Sequence, residues 1–380
     1  MKIALLDYKV VRTNPIGGIH RIMLEGLCQE HNFTVFAVEF DNPCPELIKF
    51  VRIPVPSRPL ALLYVCYLLI APLYFFWERF RNGPFDIVHF VESNFWRGHV
   101  SRVGFCHRRY LRQHWQQTKP GGLRGVIRWL DHWLHAVLEP LVYRLTNRIV
   151  VPSRGLQQEL EEEYPHIKNK ITLISNPVET QRFKKPQDFD RCAFRNALGV
   201  SQDSFVLSFV ALGQFERKGL PLILEALQKI PQAHLLVVGG TSDTIGMWKN
   251  RIESLGLTER VYFTGIQKDI RPFLWCADAF VFPSVYETFS QVTFQAAAAG
   301  LPLIVTPLYG VEEFMEDCVM GFLVDRSEES VAEAIKKLLT LSPAERSAMG
   351  ERSRAAVERF SVERFIESWR FLYKAIGTSQ

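Results

Sequence analysis

Glu287 and Gln295 stand eight positions apart in the stretch 281–306, VFPSVYETFSQVTFQAAAAGLPLIVT, and their setting suits a phosphorylated sugar. The apolar segment 279–282 reads as a short buried strand. A small-residue helix opens near Ser290 and closes at Gly300, and a second apolar strand follows at 303–306. A turn from a strand's end to a helix start is where open α/β sheets bind ligands. The helix start offers unpaired N–H groups and a partial positive charge, so the amides of Phe289, Ser290, Gln291 and Val292 suit a diphosphate. Glu287, in the turn, can accept hydrogen bonds from sugar hydroxyls. Gln295 lies about two helical turns deeper on roughly the same face.

A second cluster, Gln214-Phe215-Glu216-Arg217-Lys218-Gly219, follows an apolar strand at 205–211 and precedes an apolar helix at 220–227. Arg217 offers a planar fork and Lys218 a point charge. Both suit a diphosphate whose negative charge grows as a glycosidic bond breaks. Gly219 permits a tight turn. Alone, this run would read as a solvated surface turn; beside 281–306 it reads as binding chemistry. Gly17-Gly18 follows the first strand, and His107 ends the strand 103–106, where an imidazole can hydrogen-bond a sugar.

These segments resemble the retaining glycosyltransferases of the GT-B fold, family 4 (glycosyl transferases group 1). Their E-x7-E signature is matched by Glu287 with Gln295 in the second position, and Ser290 replaces the usual glycine. The similarity continues through Gly310-Val311-Glu312-Glu313, Gly321-Phe322-Leu323-Val324, Arg217-Lys218-Gly219 and Asn176-Pro177-Val178, where proline replaces the family's glycine. It implies catalytic roles for His107, Glu287, Lys218 and Arg217. It places the donor on Gly17, Gly18, Arg217, Lys218, Ile266, Glu287, Phe289, Ser290, Gln291, Val292 and Gln295. The implied reaction moves a hexose-type sugar from a UDP- or GDP-linked donor to a lipid-linked or cell-envelope glycan, without metal or other cofactor. Transfer is front-face, the leaving phosphate taking the acceptor's proton. A nucleotide-sugar epimerase of similar architecture and a non-catalytic nucleotide-sugar-binding relative are the competing readings.

The elements that position these residues follow a repeating pattern. Short apolar strands alternate with helices at 2–6, 33–39, 86–90, 102–106, 148–152 and 171–174, then at 205–211, 234–238, 261–264, 279–282 and 303–306. Near-continuous apolar strands separated by helices mean parallel sheets covered on both faces. In 380 residues this predicts α/β architecture with two Rossmann-like domains, 1–180 facing acceptor and membrane and 181–360 binding the nucleotide-sugar. The polar segment 179–190 reads as the linker. The helix at 361–380 carries an apolar stripe of Phe365, Trp369, Leu372 and Ile376; the resemblance has it crossing back to the first domain.

Net charge is only +5, but ten Arg and Lys against two acids fall between Arg97 and Arg148, mixed with Trp115, Trp129 and Trp133. With no nucleic-acid motif, this reads as a surface for anionic membrane, to which Arg108, Arg109 and Arg112 contribute. The apolar run 60–77 would make a helix about 27 Å long, close to the hydrocarbon thickness of about 30 Å. Its flanking strands read as members of one sheet, which favours a helix lying in the interface, or an ordinary buried helix, over one spanning the membrane. Seven scattered cysteines without C-x-x-C spacing point to a reducing compartment, and the N-terminus has no apolar run long enough for a secretory signal. The expected location is cytoplasmic, peripheral on the membrane's inner face. Asp188-Phe189-Asp190 reads as a helix cap and not a metal motif, and His132-x-x-His135 lacks a visible third ligand.

Overall fold

Runs of Val, Ile, Leu and Phe buried on both faces pair in parallel throughout the chain. The computed structural model describes residues 1–378 as two units: Met1–Pro177 with the chain from Val362 onward, and Val178–Ser361.

The main sheet of the first unit has seven strands among the described residues: β1 (Lys2–Leu6), β2 (Asn32–Ala37), β3 (Ile48–Arg52), β4 (Ile87–Val91), β5 (Val100–Arg102), β6 (Arg148–Val151) and β7 (Ile171–Leu173). Their order is β3-β2-β1-β4-β5-β6-β7, so the topology reverses between β1 and β4. One face packs on α1 (Pro15–Leu27) and the terminal helix Val362–Gly377, the other on α2 (Leu60–Asn82) and α4 (Gly122–Leu145), with the short α3 (His107–Gln113) following β5 and packed on α4. Phe365, Trp369, Leu372, Tyr373 and Ile376 of the terminal helix are buried in this unit. Each large side chain so buried contributes about 1.5–3 kcal/mol. Trp369 stacks on His89, whose Nδ1 lies 2.7 Å from the Tyr373 hydroxyl.

The second unit repeats the scheme with β8 (Phe205–Val210), β9 (Ala233–Val238), β10 (Val261–Gly265), β11 (Ala279–Phe282), β12 (Leu303–Val305) and β13 (Gly321–Leu323). Their order is β10-β9-β8-β11-β12-β13, reversing between β8 and β11. The helices α5 (Leu220–Gln228) and α6 (Gln291–Ala298) start from the loops after β8 and β11.

Three features depart from the sequence reading. Strand β3 was hidden because Lys49 and Arg52 interrupt its apolar pattern at an exposed sheet edge. Strand β5 ends at Arg102, earlier than the apolar run suggests, because its polar Ser101 and Arg102 are buried and bonded. Ser101 Oγ donates to the Glu92 carbonyl (2.8 Å), and Arg102 donates to Asn176 Oδ1 (2.6 Å). The segment 179–190 is also not a free linker. Phe183 is buried, its carbonyl accepts from Trp275 Nε1 (2.7 Å), and Thr180 bonds Glu358 (3.0 Å), so the boundary falls at Pro177.

Candidate active site

The loops after β8 and β11 meet at the point where the second sheet reverses, the place open α/β sheets reserve for ligands. Contact between them needs glycine at position 219. Its φ is +87°, and a Cβ there would lie 2.3 Å from the Pro283 carbonyl oxygen. The loops are laced further by Val285 N–H donating to the Arg217 carbonyl at 3.1 Å.

This backbone brings Arg217, Lys218 and Glu287 together. Lys218 Nζ donates to Glu287 Oε1 at 2.9 Å and sits 4.9 Å from the centre of the Phe282 ring. Arg217 lies 3.3 Å from the same oxygen, with its other nitrogens on Gln214 Oε1 (2.7 Å) and the Tyr286 carbonyl. Ser284 Oγ donates to Glu287 as well, at 3.1 Å. Burial pushes the Lys218 pKa below the usual lysine value; Glu287 pulls it back up and Arg217 depresses it further. Two cations against one carboxylate leave a net positive charge, suited to a diphosphate.

Ser290 precedes α6, but its side chain is buried and bonded to Thr293 Oγ1 at 2.8 Å, so it faces the helix and not a ligand. Its carbonyl accepts from the Thr293 amide (2.9 Å), and the Gln291 amide donates to the Phe289 carbonyl (2.8 Å). The expectation that Gln291 N–H serves the phosphate is thereby corrected: a tight local turn consumes it. Phe289 stacks on Phe294 with centroids 4.3 Å apart, and Gly310 (φ +84°) gives it room. Val292 and Gln295 follow on α6, half-buried. Ile266 is exposed just after β10.

The sequence reading missed Gly239-Gly240, which follow β9 with φ of +115° and +88°; a Cβ on Gly239 would come within 2.0 Å of the Ala211 carbonyl oxygen. A Gly-Gly after a strand was the available signal. It also missed Ser284 and the edge-to-face pair Tyr286–Tyr309, which carry no motif.

In the first unit the expectations for Gly17, Gly18 and His107 are altered. Helix α1 starts at Pro15, and Asn14 caps it by accepting from the Ile16 and Gly17 amides (3.0 and 2.8 Å), while Gly18 N–H donates to the Asn14 carbonyl (2.7 Å). Neither glycine amide is left for a phosphate. Gly17 is required because Lys9 passes so close that a Cβ would meet its carbonyl oxygen at 1.8 Å. His107 is buried, with Nε2 3.2 Å from Glu92 Oε2 and Nδ1 2.9 Å from His132 Nδ1. Both ring nitrogens are engaged within the unit, so its imidazole is not held out to a sugar. Burial lowers its pKa to about 3.

His135 joins this cluster, bonded to Ser93 Oγ at 2.9 Å, so His132-x-x-His135 does gain neighbours: ligand atoms of Glu92, His107 and His135 lie within 4.8 Å of one another. The His107 and His135 rings are stacked, with centroids 4.3 Å and planes 11° apart. Imidazole lone pairs lie in the ring plane, so these run in near-parallel planes and do not converge on one ion. The arrangement is a buried hydrogen-bond network. Asp190 accepts from the Ala193 amide at 2.9 Å as a helix N-cap.

Helix α2 is long and apolar enough to cross a membrane, yet strands on either side of it, β3 and β4, belong to one sheet, and Leu63, Tyr67, Ala71 and Phe75 are buried in the core. Its other side exposes Leu69, Leu73, Phe76, Trp77 and Phe80; α4, which packs beside it, exposes Leu123, Val126, Trp129, Trp133 and Val137. Arg108 and Arg112 share Glu163, and Arg109 pairs with Glu162, so three cations meet two carboxylates and one net positive charge remains.

Residues 21–182 match the Glycosyltransferase Family 4 model, and residues 206–341 match Glycosyl transferases group 1. An uncharacterized glycosyltransferase of Methanocaldococcus jannaschii is 25% identical over 90% of this chain and 89% of its own length. LpsE, a lipopolysaccharide core biosynthesis glycosyltransferase of Rhizobium meliloti, is 31% identical over 52% of this chain and 55% of its own. A D-inositol 3-phosphate glycosyltransferase of Mycobacterium leprae is 30% identical over 55% and 50%. The chain thus spans about half the length of these last two relatives. Among solved structures, WaaG, a glycosyltransferase involved in lipopolysaccharide biosynthesis, superposes with a TM-score of 0.77 at 20% identity over 98% of this chain and 99% of its own. Anabaena HepE in complex with UDP and glucose does so at 0.74 and 18%, over 99% and 100%. The chain therefore has the GT-B fold, with residues 21–182 matching the Family 4 model and residues 206–341 the group 1 model.

Proposed function

We propose that this protein is a retaining, metal-independent glycosyltransferase that moves a hexose-type sugar from a UDP- or GDP-linked donor to a lipid-linked or cell-envelope glycan. The observation that carries the reading is the Arg217–Lys218–Glu287 cluster at the reversal point of the second sheet, beside the start of α6. A donor diphosphate competes with Glu287 for the two cations. Once released, the carboxylate can accept hydrogen bonds from sugar hydroxyls, with Gln295 deeper on α6 serving the rest of the donor. As the C1–O bond breaks, charge builds on the leaving diphosphate against the two fixed cations, which stabilises the transition state. The acceptor oxygen joins C1 from the same face, and its proton passes to the leaving phosphate. Support for a UDP-linked donor comes from the HepE complexes with UDP and UDP-glucose, and for an envelope acceptor from LpsE and WaaG.

We further propose a cytoplasmic, peripheral location on anionic membrane, through the exposed apolar sides of α2 and α4 with the exposed Arg124 and Arg144 beside them. The test is a panel of UDP-, GDP- and ADP-sugars with purified protein, scored for donor hydrolysis and transfer. Donor binding without turnover, across the panel and with glycan acceptors present, would overturn the catalytic reading in favour of a binding relative.

A further inference from the structure

Cys28 and Cys44 lie 16 positions apart in sequence, yet their Sγ atoms are 2.9 Å apart. That is inside the van der Waals separation of two sulfurs and within about 1 Å of a disulfide bond length. Neither sulfur is there by way of a slack backbone. Cys28 ends α1, its amide donating to the Leu24 carbonyl at 2.9 Å. Cys44 sits between Pro43 and Pro45, and its amide donates to Asn42 Oδ1 at 3.0 Å. Its carbonyl accepts from the amides of Leu47 and Ile48, at 3.0 and 2.9 Å, and Asn42 Nδ2 bonds the Ile48 carbonyl at 2.9 Å. Two prolines and these bonds hold the Cys44 side chain against α1.

We propose that Cys28 and Cys44 are a covalent modification site, where the folded chain forms an intramolecular disulfide by exchange with a low-molecular-weight disulfide of the glutathione class. Cys44 is the partly exposed member and attacks first. Its thiolate displaces one glutathione thiolate from the oxidised dimer and leaves a Cys44–glutathione mixed disulfide. The Cys28 thiolate then attacks the Cys44 sulfur and displaces the second glutathione. The two protons lost by the protein thiols go to the two released thiolates, so the protein is oxidised by two electrons and one glutathione disulfide is reduced to two thiols. Burial and the neighbouring Cys44 push the Cys28 pKa up to about 11, which makes Cys28 a poor first nucleophile but a well-placed resolving one. The bond would tie the end of α1 to the entry of β3, the edge strand of the sheet, and close a short loop in the unfolded chain.

The test uses the full-length reduced protein, incubated under native conditions with millimolar oxidised glutathione, acid-quenched and alkylated. The expected result is a species lighter by two hydrogens, with five of the seven thiols still alkylatable (7 − 2 = 5), and a crosslinked peptide pair joining Cys28 to Cys44 after cleavage between them. Its melting temperature should be higher by about 5 °C or more, and both changes should reverse with dithiothreitol. Cys28→Ser and Cys44→Ser should each abolish the crosslink. Should either variant fold poorly, the wild-type peptide map decides alone. Full alkylation of Cys28 and Cys44 while exposed Cys192 and Cys318 take up glutathione would overturn the proposal, as would a mixed disulfide that persists on Cys44, or bridging that needs denaturant.

Discussion

Lys218 Nζ donates a 2.9 Å hydrogen bond to Glu287 Oε1, although 69 residues separate them in the chain. They come from the loops after neighbouring strands β8 and β11, so the pair exists only because those strands adjoin at the reversal of the sheet. Removing either partner should therefore damage one shared site. Lys218→Ala and Glu287→Ala are each expected to lower kcat/KM by about 100-fold, or about 2.7 kcal/mol of transition-state stabilisation. Steady-state kinetics with saturating acceptor check this, and near wild-type values in both would refute the site.

The depressed pKa of Lys218 gives a pH signature. Only the protonated amine holds the diphosphate, so kcat/KM should fall as pH rises through a value below the ordinary lysine 10.5. Lys218→Arg keeps its charge to higher pH, so its alkaline limb should move upward even if the rate is lower. A profile whose alkaline limb is identical in both proteins would contradict the assignment.

Activity should persist in excess EDTA. In the proposed reaction Arg217 and Lys218, which converge on Glu287, take the charge of the leaving group, and Asp190 is occupied as a helix cap. Asp190→Ala is expected to cost about 1 kcal/mol of stability and leave kcat unchanged. Turnover that collapses with chelator and returns with manganese would overturn this.

The first unit should be acid-labile. Burial lowers the pKa of His20, His89, His107, His132 and His135, so below pH 6.5 the unfolded chain binds protons that the folded unit refuses. Each such group removes about 1.4 kcal/mol per pH unit as pH falls from 6.5 towards its folded pKa, about 3 for His107. Two buried acids and the half-buried Asp131 oppose this. Burial raises Glu92, Asp131 (to about 6) and Glu139 (to about 7), so folding is favoured by their protonation until the unfolded acids also titrate near their ordinary values. Stability should thus decline gently from pH 6.5 and steeply below about 4.5. Hydrogen exchange of β4 and α4 against pH checks it, and His135→Gln should flatten the slope.

Vesicle binding should depend on the apolar side of α4. Trp129→Ser with Trp133→Ser is expected to weaken partitioning onto anionic vesicles by roughly tenfold or more, from the aromatic area no longer buried. Arg108→Ser with Arg112→Ser should weaken binding at low salt, because the two arginines share the single carboxylate of Glu163 and their loss leaves it unpaired. Co-sedimentation decides, and equal binding by the tryptophan double variant would sink this surface.

The sequence alone determined the two parallel-sheet units and the strand, turn and helix of the second that carry Glu287 and Gln295. Both are written locally: apolar strands of near-constant length, and a strand, turn and helix contained within about 25 residues of 281–306. Hydrophobic periodicity and turn chemistry act over such distances, so they are legible without coordinates. Polar residues inside the fold were not legible. Ser101, Arg102, Glu92 and His107 look like surface residues or ligand contacts in sequence, and only tertiary packing brings Ser101 and His107 to Glu92 and Arg102 to Asn176. Likewise Gly17 resembles a phosphate loop, whereas the passage of Lys9 across α1 assigns it to packing. A buried polar group must find its partner wherever the chain brings one, and that partner's position is a property of tertiary structure.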